Sequence, residues 1–246
     1  MAHELPARSG GKPEIMNPKS SSDSPEQPTK DERKRILVVD DHPMMRAGLT
    51  ALIGKQPGME VCCETGSSAE AMEEIPKQRP DLIIADLTLK GGSGLEFIKD
   101  ARALYEKIPI LVVSMHDEKI YAERCLRAGA GGYIMKEESG EHLISAIQRV
   151  LDGGVYLSGT MATRILKSVT GSNVHNVESP MQKLTDREFE IFQLIGQGKT
   201  ADEIAQQLHI SPRTVDVHRA QIKEKLHLTS GTALVHYAVQ WLGQEG

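Results

Sequence analysis

Asp40, Asp41, Asp86, Ser114 and Lys136 are the residues whose types could do chemistry together. Each closes a short apolar run, in "ILVVDD", "DLIIAD", "ILVVS" and "GGYIMK". Adjacent carboxylates such as Asp40 and Asp41 raise each other's cost of ionising, so a counter-charge is needed to hold both. An all-oxygen donor set suits a hard divalent cation, Mg²⁺ above all, which keeps several of its waters. Such a cation would relieve the repulsion and neutralise a phosphoryl group. A carboxylate can then serve as a nucleophile and form an acyl phosphate. Lys136 would act as a fixed point charge for phosphate oxygens, and the Ser114 hydroxyl would bond one more. Acids at strand ends are often merely solvated, and a single lysine is usually a surface lysine. The weight therefore rests on whether all five meet.

The elements that must position them read as follows. Five apolar runs, "ILVVD", "MEVCCE", "DLIIAD", "PILVVSM" and "GGYIMK", are strands too short and too continuously apolar to face water. Helical patterns lie between them at 44–55, 68–75, 94–104 and 119–128, and another at 140–151 follows the last strand. This alternation predicts βαβ units and a parallel sheet with helices on both faces. Reactive groups gather at the carboxyl ends of such strands, which sends all five residues to one edge.

Composition narrows the class. The chain has 246 residues and a formal net charge of −5, ordinary for a globular protein and no global sign of nucleic-acid or membrane binding. Cys62, Cys63 and Cys125 have no metal-binding or disulfide-framework spacing, which fits a reducing compartment. No apolar run approaches the ~20 residues of a membrane helix, and the N-terminus lacks a signal-peptide core, so the expectation is a cytoplasmic protein. Residues 1–34 are rich in Pro, Ser, Lys and Glu and are expected to be a disordered tail.

Residues 35–152 resemble the receiver domain of two-component response regulators, through "VVDDHPMMRAGL", "DLIIADLTLKGGSGLEFI", "ILVVSMHDE" and "AGAGGYIMKE". The resemblance implies a flavodoxin-like, doubly wound, five-stranded parallel sheet. It implies that Asp86 accepts a phosphoryl group from a histidine kinase. Mg²⁺ would be held by Asp40, Asp41 and Asp86 with the backbone carbonyl of Thr88, Asp41 and Asp86 being direct ligands. Ser114 matches the switch hydroxyl, Lys136 the lysine that pairs with the phosphate, and Tyr133 the aromatic whose ring turns inward as the hydroxyl moves. Thr88 and His116 fall where the family tunes dephosphorylation. Lys90 stands where a proline is usual.

Residues 153–180 weaken into a linker with one short helix, ending in the turn-rich "TGSNVHNVESP". From 181 to 246 the pattern is all-α. Thr185 with Glu188, and Thr200 with Glu203, are capping boxes, and Ser211 followed by Pro212 opens a third helix. A short helix, a three-residue turn and a longer helix make a helix-turn-helix, whose second helix enters the DNA major groove. Basic and acidic residues nearly cancel in this region, yet Arg213, Arg219, Lys223 and Lys225 give the third helix a local basic side.

Residues 184–242 resemble a LuxR-type DNA-binding domain, through "LTDRE", "EIAQQLHIS" and "TVDVH", and the pair of domains resembles the NarL/FixJ subfamily. This implies double-stranded DNA contacts from Arg213, Thr214, Asp216, His218, Arg219, Lys223 and Lys225. It also implies a homodimer contact through Leu234, Ala238 and Trp241. Asp216 stands where a lysine is usual, which predicts weaker or redirected binding. The reading is a transcriptional response regulator that turns over no separate substrate. The alternatives are a receiver whose helical output binds protein, and an aspartyl-phosphate enzyme.

Overall fold

A computed structural model describes residues 33–90, 92–169, 180–208 and 210–245, together with Met1. The tail expected at 1–34 and the linker residues 170–179 lie almost wholly outside the described residues, as does His209 of the helix-turn-helix turn.

The sheet consists of β1 (Lys34–Val39), β2 (Met59–Thr65), β3 (Leu82–Ala85), β6 (Ile110–Ser114) and β7 (Gly132–Met135), all parallel, in the order β2-β1-β3-β6-β7. A two-residue hairpin, β4 (Thr88–Leu89) with β5 (Gly92–Ser93), follows β3 and was not foreseen from the sequence. Ile36 to Val39 have no exposed surface. A strand covered on both faces needs apolar side chains on both, which explains the unbroken run. On one face Ile36 and Val38 pack with Leu49 and Ile53 of α1 (Pro43–Ile53) and Leu143 and Ile147 of α5 (Gly140–Leu151). On the other, Leu37 and Val39 pack with Ile75 of α2 (Ser68–Gln78), Ile98 of α3 (Gly94–Leu104) and Cys125 of α4 (Glu118–Ala128).

Strand order reverses between β1 and β3, which opens a crevice at their carboxyl ends. Asp40 directly follows β1 and Asp86 directly follows β3. Local chemistry fixes the helix starts nearby: Ser67, Asp117 and Ser139 each accept a backbone N–H in the first turn of α2, α4 and α5. Gly129, at φ 104°, ends α4 in the left-handed region.

Part of the segment read as linker is docked instead. Tyr156 pairs with the edge of β7, its carbonyl accepting from Tyr133 N at 2.9 Å. Helix α6 (Gly159–Val169) follows; Ser158 N donates to Glu118 Oε1 at 2.8 Å and Arg164 to the Lys119 carbonyl. The expected short helix is therefore held against α4.

A 3-10 turn (Pro180–Lys183) leads into α7 (Asp186–Gly196), α8 (Ala201–Gln207), α9 (Pro212–Lys225) and α10 (Gly231–Glu245). Both capping boxes form, and Ser211 accepts from Thr214 N with Pro212 at the first helical position. Phe189, Phe192, Ile204, Val215, Ile222, Leu234 and Ala238 close the small core without exposed surface. Helix α7 can cross α10 this closely because Gly196 has no side chain: a Cβ there would sit 2.8 Å from the Ala238 carbonyl oxygen.

Candidate functional site

The five residues singled out by type do share one edge. Lys136, one residue beyond β7, places Nζ 2.6 Å from Asp40 Oδ2 and 2.7 Å from Asp86 Oδ2. All three side chains are within 3 % of full burial. Burial alone would lower the lysine's pKa, but hydrogen bonds and charge from Asp40 and Asp86 outweigh it and raise it above the ordinary value. The ammonium is thus a permanent cation between two buried carboxylates.

The remaining oxygens are held mostly by backbone. Asp86 Oδ1 accepts from Leu87 N at 2.7 Å, and Asp40 Oδ1 from His42 N at 2.8 Å. Asp41 Oδ1 is buried without a formed hydrogen bond, although His42 Nδ1 approaches to 2.6 Å. Ligand atoms of Asp40, Asp41, His42 and Asp86 lie within 4.8 Å of one another. Three carboxylates and an orphaned oxygen fit a divalent cation of the Mg²⁺ class. His42 was missed from sequence; its adjacency in "DDH" was the available signal.

Ser114, the last residue of β6, is fully buried, and its Oγ lies 3.5 Å from His116 N. Tyr133 donates its hydroxyl to the His116 carbonyl at 2.7 Å, and its ring has no exposed surface, so it lies in the inward position. His116 Nε2 is 3.2 Å from Thr88 Oγ1. Burial and the nearby Lys136 outweigh the pull of Asp86 and lower the pKa of His116, favouring neutral imidazole. Lys90 forms a bridge with Ser67, its N–H donating to the Gly66 carbonyl, a bond proline could not make.

Gly94 was also missed. A Cβ at this position would lie 2.3 Å from the Asp86 carbonyl and 2.5 Å from Leu87 Cα. Its N–H donates to the Leu87 carbonyl, so the hairpin folds back onto the Asp86–Leu87 segment only if residue 94 is glycine.

In the helical domain, the outward stripe of α9 is Arg213, Asp216, Val217 and Ala220. Val217, an apolar residue in this stripe, is 51 % exposed. Thr214 is half buried and bonds Ser211 Oγ, while Arg219 and Lys223 flank the stripe. His218 keeps Nδ1 buried and without a partner. Lys225 is spent elsewhere: its ammonium is 2.6 Å from Glu188, a buried carboxylate held below its ordinary pKa by Lys225 and Thr185 despite burial. Expected contacts Leu234 and Ala238 have no surface to offer a partner, because they pack against α7. Trp241 stacks edge-on against Phe189 and Phe192. The large apolar side chains that α10 turns outward are Val235 and Val239, beside the exposed Thr232, His236 and Gln240. Packing of α10 on α7 reversed which of its faces is free.

A buried acidic crevice with a bridging lysine, beside a helix-turn-helix, defines a receiver joined to a nucleic-acid-binding output. Residues 36–148 match the model of the response regulator receiver domain, and residues 182–238 that of bacterial regulatory proteins of the luxR family. The chain is 34 % identical over 210 residues to oxygen regulatory protein NreC of Staphylococcus carnosus, covering 84 % of this chain and 97 % of that one. NreC of Staphylococcus epidermidis is equally similar over 211 residues. The chain belongs to the response regulators with a LuxR-type helix-turn-helix output. Among solved structures, a LuxR-family two-component regulator from Aurantimonas sp. shares 33 % identity, with a TM-score of 0.52 over 56 % of this chain and 99 % of that one. RcsB of Salmonella enterica serovar Typhimurium, bound to a promoter with the phosphomimetic BeF₃⁻, shares the fold at a TM-score of 0.61 and 22 % identity over 84 % of this chain and 98 % of that one.

Proposed function

We propose that Asp86 accepts a phosphoryl group from a histidine kinase and that this event controls DNA binding by α9. The observation that carries the reading is the Lys136 ammonium seated between Asp40 and Asp86. A carboxylate oxygen of Asp86 bonds to phosphorus while the donor's phosphorus–nitrogen bond breaks, its electron pair leaving with the donor imidazole. Lys136 meets the incoming phosphoryl oxygens, and the Ser114 hydroxyl supplies a hydrogen bond. When bound, Mg²⁺ would neutralise charge on the carboxylates and the phosphoryl group, held by Asp40, Asp41, Asp86 and the Thr88 carbonyl. The neutral His116 ring and Thr88 hydroxyl flank the acyl phosphate and set the access of hydrolytic water. The phosphoryl group stays on the chain, so no separate substrate is turned over.

DNA contacts fall to Arg213, Asp216 and Val217, with Arg219, Lys223 and Thr214 at the flank, and homodimer contact to Val235 and Val239. Among the described residues no helix is long and apolar enough to cross a membrane; a DNA-directed regulator of this family would act in the cytoplasm. Binding curves on random and selected duplexes test this, with and without acetyl phosphate and Mg²⁺. Tighter, more cooperative binding after phosphorylation is expected. No duplex affinity in either state would overturn it.

A further inference from the structure

The receiver and the helical domain are docked by Lys99 and Arg124, which hold the two carboxylate oxygens of Asp186 at 2.5 Å and 2.8 Å. A cleft of about 310 Å³ lies between the same two domains. That volume is at the lower end of the range for small-molecule sites, and domain boundaries are where such sites gather. Its walls are apolar: Leu87, Leu89 and Leu95 come from the receiver, Leu194 and Leu208 from the helical domain. Tyr121 adds an aromatic surface, its ring 4.7 Å from that of His116.

Helix α7 supplies most of the polar groups. Glu190, Gln193 and Gln197 recur at helical spacing and so share one face, and Gln207 reaches the cleft from the end of α8. Gln193 accepts the Tyr121 hydroxyl through Oε1, which leaves its NH₂ group to donate. Gln197 and Gln207 are exposed, and their side chains have no hydrogen-bond partner among the described residues. Charge decides what the cleft rejects. No lysine or arginine among the described residues lines it, and Glu190 is the one carboxylate that does. The guanidinium of Arg187 is taken by Glu190 at 3.1 Å and by the Leu208 carbonyl at 2.8 Å. Burial raises the pKa of Glu190 above its ordinary value, so this wall resists further charge. An anion entering here would give up its water beside a carboxylate, with no free cation to replace it. A flat neutral molecule with hydrogen-bonding groups along one edge meets no such cost.

We propose that this cleft binds a purine base or nucleoside, its ring between the leucine walls and its edge read by the amides of Gln193, Gln197 and Gln207. A glutamine amide pairs bidentately with the N6/N7 edge of adenine, which matches donors and acceptors at once. A nucleotide is excluded by its phosphate. The site exists only with the two domains docked as they are here, since each supplies part of the wall. The proposal does not depend on the role given to Asp86.

Calorimetric titration of the full chain with adenosine, AMP and indole tests it, on wild type, Gln197→Ala and Gln207→Ala. Both glutamines are exposed and outside the core, and a melt of each variant checks that it folds. One adenosine per chain is expected, and each substitution should weaken it roughly 3- to 10-fold, the loss of one hydrogen bond. AMP should bind at least about tenfold more weakly than adenosine, because its phosphate meets a like charge. Indole has the flat body without the purine edge, so it should bind more weakly than adenosine and equally to all three proteins. Absence of saturable adenosine binding up to millimolar concentration would overturn the proposal. AMP binding as tightly as adenosine would do the same, as would an adenosine affinity unmoved by both substitutions. Indole matching adenosine would reveal an apolar cleft that reads no purine, and would also overturn it.

Discussion

Lys136 carries much of the electrostatic burden of the acidic crevice. Asp40 and Asp86 are buried and share its ammonium, so removing the charge leaves two carboxylates facing each other out of water. Lys136→Met, close in volume, should cost roughly 3–5 kcal/mol of stability, the usual loss when one member of a buried pair is removed. Added Mg²⁺ should restore more stability to the variant than to wild type, because it supplies the missing cation. Thermal melting with and without Mg²⁺ checks both, and equal Mg²⁺ stabilisation of the two proteins would contradict the shared-charge account. Residues of this kind are legible in sequence because strand ends deliver them to one edge. Gly94 was not: its need arises from a backbone approach to Asp86 that appears only once the hairpin has folded back. Val217 was hidden for a different reason, since an apolar side chain reads as core until the helix is packed.

At the scale of the element, α9 separates two kinds of basic residue that looked alike in sequence. Arg213 is exposed, whereas Lys225 is paired with buried Glu188. Arg213→Ala should weaken binding to any duplex and shallow the salt dependence by about one counterion. Lys225→Ala should leave the salt slope unchanged but destabilise the helical domain by about 3 kcal/mol, because Glu188 loses its cation. Asp216→Lys should strengthen binding to arbitrary duplex and steepen the slope by about one counterion, since Asp216 lies on the exposed stripe. Salt titrations of duplex affinity, with a melt of each variant, separate these outcomes; a salt slope altered by Lys225→Ala would refute its internal role. Capping boxes at Thr185 and Thr200 were readable because their chemistry is local. The free face of α10 was not readable, because Leu234 and Trp241 share an apolar stripe whose partner is α7, a distant segment.

For the whole molecule, the interdomain face contains two carboxylates whose pKa values are displaced in opposite directions. Burial raises Glu190 above 4.5, with Glu96 adding repulsion, against the hydrogen bonds from Ser93 and Arg187. Asp186 is held below 3.8 because Lys99 and Arg124 outweigh its burial. A raised carboxylate contributes fully below its unfolded value and loses that contribution as pH rises through its folded value. A depressed one contributes fully above its unfolded value and loses it as pH falls through its folded value. Both contributions are therefore whole between 3.8 and 4.5. Above that window the packing should loosen as Glu190 ionises. Glu190→Gln should match wild type inside the window and melt at a higher temperature above it. A difference between the two proteins that does not change with pH would refute the titration argument. Alternating strands and helices made the two-domain plan legible, but the docking of 154–169 on the receiver was not, because Tyr156 pairs with β7 only after the sheet has formed.

The central claim is that Asp86 is the phosphoryl acceptor, and intact-mass measurement after incubation with acetyl phosphate and Mg²⁺ tests it most directly. One phosphoryl adduct is predicted on the wild-type chain, dependent on Mg²⁺, and none on Asp86→Asn, whose amide is no nucleophile. An adduct of equal occupancy on Asp86→Asn would contradict the account.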